Sequence, residues 1–275
     1  LLTLSKFLLF LTHNMIGALA TTLFGRNGAM AMTIMYIFFI GGNFIAPSAL
    51  ALARNDTGLL IFATSIIYTA FAFISTFIIF VQTAATTAPL ISSDTAHTLF
   101  YVISAITGVA GGCIWIGYGV LNIDLGESIS DKVLNDYLSS NLLAPQVSAE
   151  AASKLLREAI TGKIMSIGWS VLSFNTVVGG LLTFSILHGF SRPPTTEVGS
   201  AVDSMSDLVA NGAQYQLLFI IFSIISILAN ISYYVLYKVH SNEMAIGSAM
   251  DSNSSSCHND VESHGGLIVE KEAGH

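Results

Sequence analysis

The sequence predicts an all-α membrane protein of six transmembrane helices, and three observations carry that prediction. Only 10% of the 275 residues are charged and 53% are hydrophobic, with a mean hydropathy of +0.70. Soluble domains carry about 25% charged residues. Asp, Glu, Lys and Arg are absent from the stretches 7–25, 27–53, 57–93, 95–123, 164–191 and 208–237. Each stretch supplies the ~20 residues that cross a hydrocarbon core. The 57–93 stretch has the length for two spans, but its second half, "TAATTAPLIS", is polar and short. It predicts one helix and a loop.

The first span, about 5–24, reads "SKFLLFLTHNMIGALATTLF" and is interrupted by His13 and Asn14. A four-residue turn, "GRNG", leads to a second span at about 29–52 that contains Asn43 and Pro47. Proline is tolerated there because neighbouring helices satisfy the carbonyl it frees. The loop "RNDTG" precedes the third span at about 58–83, and the fourth lies at about 98–123. Residues 124–163 form the long interior loop. Within it, Ser148 and "AEAASKLLREAI" combine an N-cap, an early Glu150, apolar Leu155, Leu156 and Ile160, and basic Lys154 and Arg157. That pattern predicts a short amphipathic helix, packed on the bundle or lying in the lipid surface. The fifth and sixth spans fall at about 164–189 and 214–238, completing a bundle over residues 1–240. From 241 to 275 the chain is rich in Ser, Gly, His and acid. Its few apolar residues cannot offset the entropy of ordering, so a disordered polar tail is expected. His258, His264 and His275 in that tail have no metal-site spacing.

Orientation follows from the basic residues. With the N-terminus cytoplasmic, Lys6, Arg54, Lys132, Lys154, Arg157, Lys163, Lys238 and Lys271 lie inside. Only Arg26 and Arg192 lie outside, and the tail returns to the cytoplasm. The acceptor patterns Asn55-Asp56-Thr57 and Asn253-Ser254-Ser255 then face the cytoplasm, so glycan on either would overturn this topology. Cys113 lies in a span and Cys257 in the tail, which makes a disulfide between them implausible. The chain opens on Leu1 with the first span close behind, and no cleavable signal pattern is recognisable. A true N-terminus upstream is expected.

Chemistry-bearing residues are few. "GGCIWIGYG", residues 111–119, has the glycines of a phosphate loop but sits inside one continuous apolar run, without the strand and helix start such a loop needs. Packing is the stronger reading. Gly108 and Gly112 are four apart and Gly119 follows seven later, so all three fall near one helix face and allow close approach of a neighbour. Trp115 and Tyr118, three apart, need partners for their N–H and O–H groups, either in a hydrated cavity or on an adjacent helix. His13 and Asn14 are costly at mid-membrane depth and should face the protein interior or water. His13 then contacts a proton or substrate, or makes a structural hydrogen bond. Asn175 and Asn230 are expected to bond between helices. No acidic residue is central in any span, so no proton relay or sodium site is evident. Neither paired intramembrane acids, a His-Glu-x-x-His motif nor a Gly-x-Ser-x-Gly elbow is present. Neither an enzyme, a cofactor, a metal site nor a nucleic-acid surface is expected.

The order of "TTLFG", "GAMAMTIMYIFFIGGNFIAPSAL" and "ITGVAGGCIWIGYG" resembles the N-terminal half of the uncoordinated-type (UNC-like) ion-channel-regulatory family, a branch of the major facilitator superfamily. Tyr36 and Ala46-Pro47 resemble the family's second span. Trp115, Gly117 and Gly119 resemble its Trp-x-Gly-Gln-Gly-x-Tyr run. Gly162, Trp169, Phe174 and Gly179 resemble its fifth span. Tyr118 stands in place of the Gln and Leu121 in place of the Tyr, and "ARNDTG" lacks the fuller Gly-Asp-Arg-Gly-Arg signature. The resemblance, over roughly residues 5–238, implies two six-helix halves around a midplane cavity. It implies that the first and fourth spans line that cavity, which brings His13, Asn14, Trp115 and Tyr118 together as candidate substrate contacts. Gly179 joins Gly108, Gly112 and Gly119 as a packing glycine.

Two functions of different kinds follow as expectations. One is a facilitator-type protein, either transporter-like or a channel regulator, whose partners are the bilayer and a channel or receptor subunit or a second six-helix half. The other is a six-helix scaffold or escort acting as a homodimer without transport.

Overall fold

The computed structural model describes residues 2–83, 92–140, 149–189 and 212–265. Apart from 53–56 and 92, every described residue lies in a helix. The helices are α1 (Leu2–Leu52), α2 (Thr57–Thr83), α3 (Ser93–Ser140), α4 (Ala149–Gly189) and α5 (Gly212–Gly265). Each contains a segment long and apolar enough to cross a membrane. The protein is an all-α, multi-pass integral membrane protein.

α1 is interrupted at Gly25, whose φ of 51° and ψ of −122° only glycine adopts without strain. The chain doubles back there into a first arm, 2–24, and a second arm, 26–52. A Cβ on Gly28 would overlap the backbone oxygen of Ala20, and one on Gly17 would lie 3.1 Å from the Met32 sulfur. In a straight helix, residues eight apart are separated by about 12 Å. The expected four-residue turn at 25–28 is therefore confined to one residue, and Arg26, Asn27 and Gly28 are already helical. Asn27 ties the reversal to α3. It accepts a hydrogen bond from the Tyr101 hydroxyl at 3.0 Å, and its amide nitrogen faces the His97 ring at 3.3 Å.

α1 ends in two left-handed residues, Arg54 (φ 58°) and Asn55 (φ 61°), and the Asn55 N–H donates to the Leu50 carbonyl at 2.9 Å. Asp56 then caps α2 by accepting the Leu59 N–H at 2.9 Å. Ser92 does the same for α3, taking the Thr95 N–H at 3.2 Å.

Glycines let α3 lie against the second arm. A Cβ on Gly108 would overlap the Met35 carbonyl oxygen, and one on Gly112 the backbone of Gly42 and Asn43. Gly42 meets the Val109 carbonyl in return. Cys113, free and buried, points its sulfur at the Gly42 oxygen at 3.8 Å. Gly119 corrects the expectation: among the described residues, nothing lies within 4 Å of the position its Cβ would take. It falls beyond the stretch where the two helices touch. Gly179 packs on the Met15 side chain, joining α4 to the first arm.

α2 and α5 are joined by polar side chains. Ser65 donates to Asn230 at 2.7 Å, Thr69 pairs with Ser226 at 2.9 Å and Thr76 with Ser223 at 2.8 Å. Gln216 donates to Thr83 at 2.6 Å. Asn175 also bonds between helices, donating to the Phe7 carbonyl at 3.0 Å. Both asparagines thus act across helices, as their depth in the spans suggested.

The stretch 124–163 differs from the expected loop. α3 continues to Ser140 and α4 begins at Ala149, leaving 141–148 outside the described residues. The amphipathic segment is the start of α4 rather than a separate helix. It packs on α3 through Gly126 and Thr161, and Arg157 pairs with Glu127 at 2.9 Å. Similarly, α5 runs on helically to Gly265, across most of the stretch expected to be disordered. No proline interrupts 212–265, and extending an existing helix needs no new nucleus. Residues 266–275, with His275, lie outside the described residues.

Candidate functional site

A cavity of about 320 Å³ lies between both arms of α1, α2, α3 and α4. Helical spacing assembles it. Phe10, His13 and Asn14 stand at i, i+3 and i+4 on the first arm, and Trp169, Leu172 and Ser173 at the same spacing on α4. The second arm adds Met35, Tyr36 and Phe39, α3 adds Thr107, Gly108 and Trp115, and α2 adds Tyr68. The glycine seam has a direct role, because Gly108 brings the second arm against α3 at the cavity wall.

The walls are aromatic. His13 packs on Tyr68 at 4.9 Å and Phe71 at 5.6 Å between ring centroids. Trp115 stacks on Trp169 at 5.3 Å, with the rings 23° from parallel, and lies 5.4 Å from Phe10. Polar character is sparse. The His13 Nδ1 is buried and has no hydrogen-bond partner among the described residues. Asn14 is exposed on the same face. The Thr107 hydroxyl is already committed to the Ile103 carbonyl at 2.7 Å, and the Ser173 hydroxyl to Trp169 at 3.1 Å. No Asp, Glu, Lys or Arg among the described residues lines the cavity. Among the described residues, no three His, Cys, Asp or Glu side chains converge as a metal site.

The structure brings together three of the four residues singled out from the sequence. His13, Asn14 and Trp115 share the cavity; Tyr118 does not line it. Tyr118 is 1% exposed, and its hydroxyl pairs with that of Tyr233 on α5. Of the two partners open to it, a neighbouring helix holds it. Three residues along the helix turn the side chain about 60° from Trp115 and lower it by most of a turn, which places it behind Phe10.

Lys6 was the residue that sequence reasoning passed over. It counted only as a charge at the membrane edge, yet it is 8% exposed. Its ammonium lies 4.6 Å from the centroids of both the Trp115 and Tyr118 rings. A signal existed: residues 6, 10, 13 and 14 recur at i, i+4, i+7 and i+8, one face of a helix. Trp169 and Tyr36 stood out only as family markers, and Tyr68 carried no signal.

No protein-family model, no curated protein and no solved structure matches this chain.

Proposed function

We propose that this chain is a six-helix unit of the major-facilitator type, working as a transporter-like protein or a channel regulator of the UNC-like kind. In this reading the two arms of α1 are separate spans and, with α2 to α5, make six. The observation that carries it is the cavity at mid-depth in the helices, where His13 and Asn14 of the first span meet Trp115 of the fourth. Two polar side chains held at the centre of an apolar helix and turned to a cavity mark a solute path. The second arm and α4 present apolar side chains outward, among them Phe44 at 82% and Trp169 at 61% exposure. That surface suits lipid or a second six-helix half.

Uptake of a panel of small solutes into vesicles tests the reading. His13→Leu is expected to abolish flux with expression intact. Unchanged flux would remove His13 from the path.

The same outward apolar surface supports the second reading, a scaffold or escort that acts as a homodimer without transport. Vesicles that take up no solute, together with a cross-linked dimer joined through the second arm and α4, would favour it.

A further inference from the structure

We propose that the cavity takes an uncharged, planar aromatic molecule that carries one hydrogen-bonding group, an inference that rests on the cavity being a solute site. Three observations lead to it, and each excludes something.

The first is the wall. The chain has two tryptophans, and both are at the cavity, stacked on one another. Phe10 and Tyr68 close the inner side. Indole and phenol rings offer broad flat faces, and ring pairs gain from offset or edge contacts beyond the area they bury. A planar ring inserted among them extends an arrangement already present. A short polar solute without a flat or apolar face would leave these rings in contact with water.

The second is charge. A charged ligand enters a buried site at large cost unless an opposite charge meets it. Among the described residues, no charged side chain lines the cavity. Aromatic walls alone would attract a cation, but Lys6 already places an ammonium 4.6 Å from the Trp115 ring centroid. A second cation on that ring meets repulsion. An anion finds Lys6 outside the lining, with the Trp115 ring in contact with it. Both ions are disfavoured, and a neutral molecule is left.

The third is the unpaired nitrogen. Nearly all buried polar atoms in folded proteins have partners, so an orphan beside a cavity leaves a bond for water or a ligand to make. The His13 Nδ1 is such an atom, closed off behind a ring that itself lines the cavity, so a turn of that ring is needed to present it to a ligand. An imidazole nitrogen donates or accepts according to tautomer, and an amide on the ligand satisfies either state. Entry is open. Tyr36 and Trp169 line the cavity and are 66% and 61% exposed, so it reaches the outer surface of the bundle between the second arm and α4. A neutral aromatic molecule partitions into hydrocarbon and can arrive from there.

Benzamide, benzoate and benzamidinium share one ring and differ in charge, so they test the class directly. The full chain is purified into lipid nanodiscs, and binding of each radiolabelled probe is measured by equilibrium dialysis against empty nanodiscs. Acrylamide quenching of the two tryptophans is followed in parallel. Benzamide is expected to bind saturably, at least tenfold tighter than either ion, and to shield the tryptophans from acrylamide. His13→Phe keeps the ring and removes the nitrogen, and should weaken benzamide about tenfold, the size of one hydrogen bond, with the thermal unfolding midpoint unchanged. Tightest binding by benzoate or benzamidinium overturns the proposed class while leaving a solute cavity in place. No saturable binding of any of the three probes, together with no solute flux into vesicles, overturns the class and the cavity reading together. Benzamide binding that His13→Phe leaves intact overturns the role of the Nδ1.

Discussion

Gly112 and Gly119 are the same residue type, seven positions apart on one helix, and only one of them needs to be glycine. Gly112 meets the backbone of Gly42 and Asn43, whereas Gly119 faces open space. A methyl at Gly112 must push two backbones apart, and overpacking of this kind costs about 2 kcal/mol. At Gly119 a methyl meets nothing and improves helix propensity by up to about 1 kcal/mol. Gly112→Ala is therefore expected to lower the unfolding midpoint in detergent, and Gly119→Ala to hold or raise it. Equal shifts would show that the seam extends past Trp115. Spacing made these glycines equivalent because 3.6-residue periodicity reports the face of a helix, not where along its length a neighbour crosses. Lys6 makes the same point. Its position was plain, but whether a terminal lysine reaches water or folds over a ring depends on what the next helix places there.

Among the elements, α2 and α5 depend most on side-chain hydrogen bonds. Their pairs repeat along the antiparallel contact, with Asn230 bonded to Ser65 and Thr69 and Gln216 bonded to Thr83. Such bonds in membranes average about 0.6 kcal/mol and reach about 1.7 kcal/mol at most, since the unfolded chain in lipid also finds partners. A double-mutant cycle of Asn230→Leu and Thr69→Val, read by unfolding in detergent, is expected to give a coupling of about 0.6–1.7 kcal/mol. Zero coupling would mean that the Asn230–Thr69 bond contributes nothing to holding the two helices together. The Arg157–Glu127 pair is half exposed, and surface pairs contribute about 0–1 kcal/mol, so it aligns the ends of α3 and α4 more than it binds them. Asn175 and Asn230 were legible as bonding between helices, because an amide inside an apolar run has few other choices. The serine and threonine partners of Asn230 were not, since hydroxyls in a helix are commonly satisfied by their own backbone.

At the scale of the molecule, the arms of α1 decide the topology. If they are two spans, Arg26 and Arg54 lie on opposite sides of the membrane. With Cys113→Ala and Cys257→Ser removing the native thiols, a membrane-impermeant maleimide should label Arg26→Cys and Arg54→Cys from opposite faces of sealed vesicles. Labelling of both from one face would mean that the second arm does not cross the membrane, leaving five spans. The helical class, the apolar segments and the polar character of 13 and 14 were all determined by the sequence. Each is a property of a residue type or a run of them, and the bilayer acts on such properties directly. The tertiary structure alone decided that the bend falls at Gly25, that the interior loop is mostly helix, and that Tyr118 sits behind the cavity wall. It also decided that Tyr68 and Trp169 reach the site that His13, Asn14 and Trp115 share. These depend on which helices meet and at what height, and within lipid every apolar face is equally content until a neighbour with the right shape arrives.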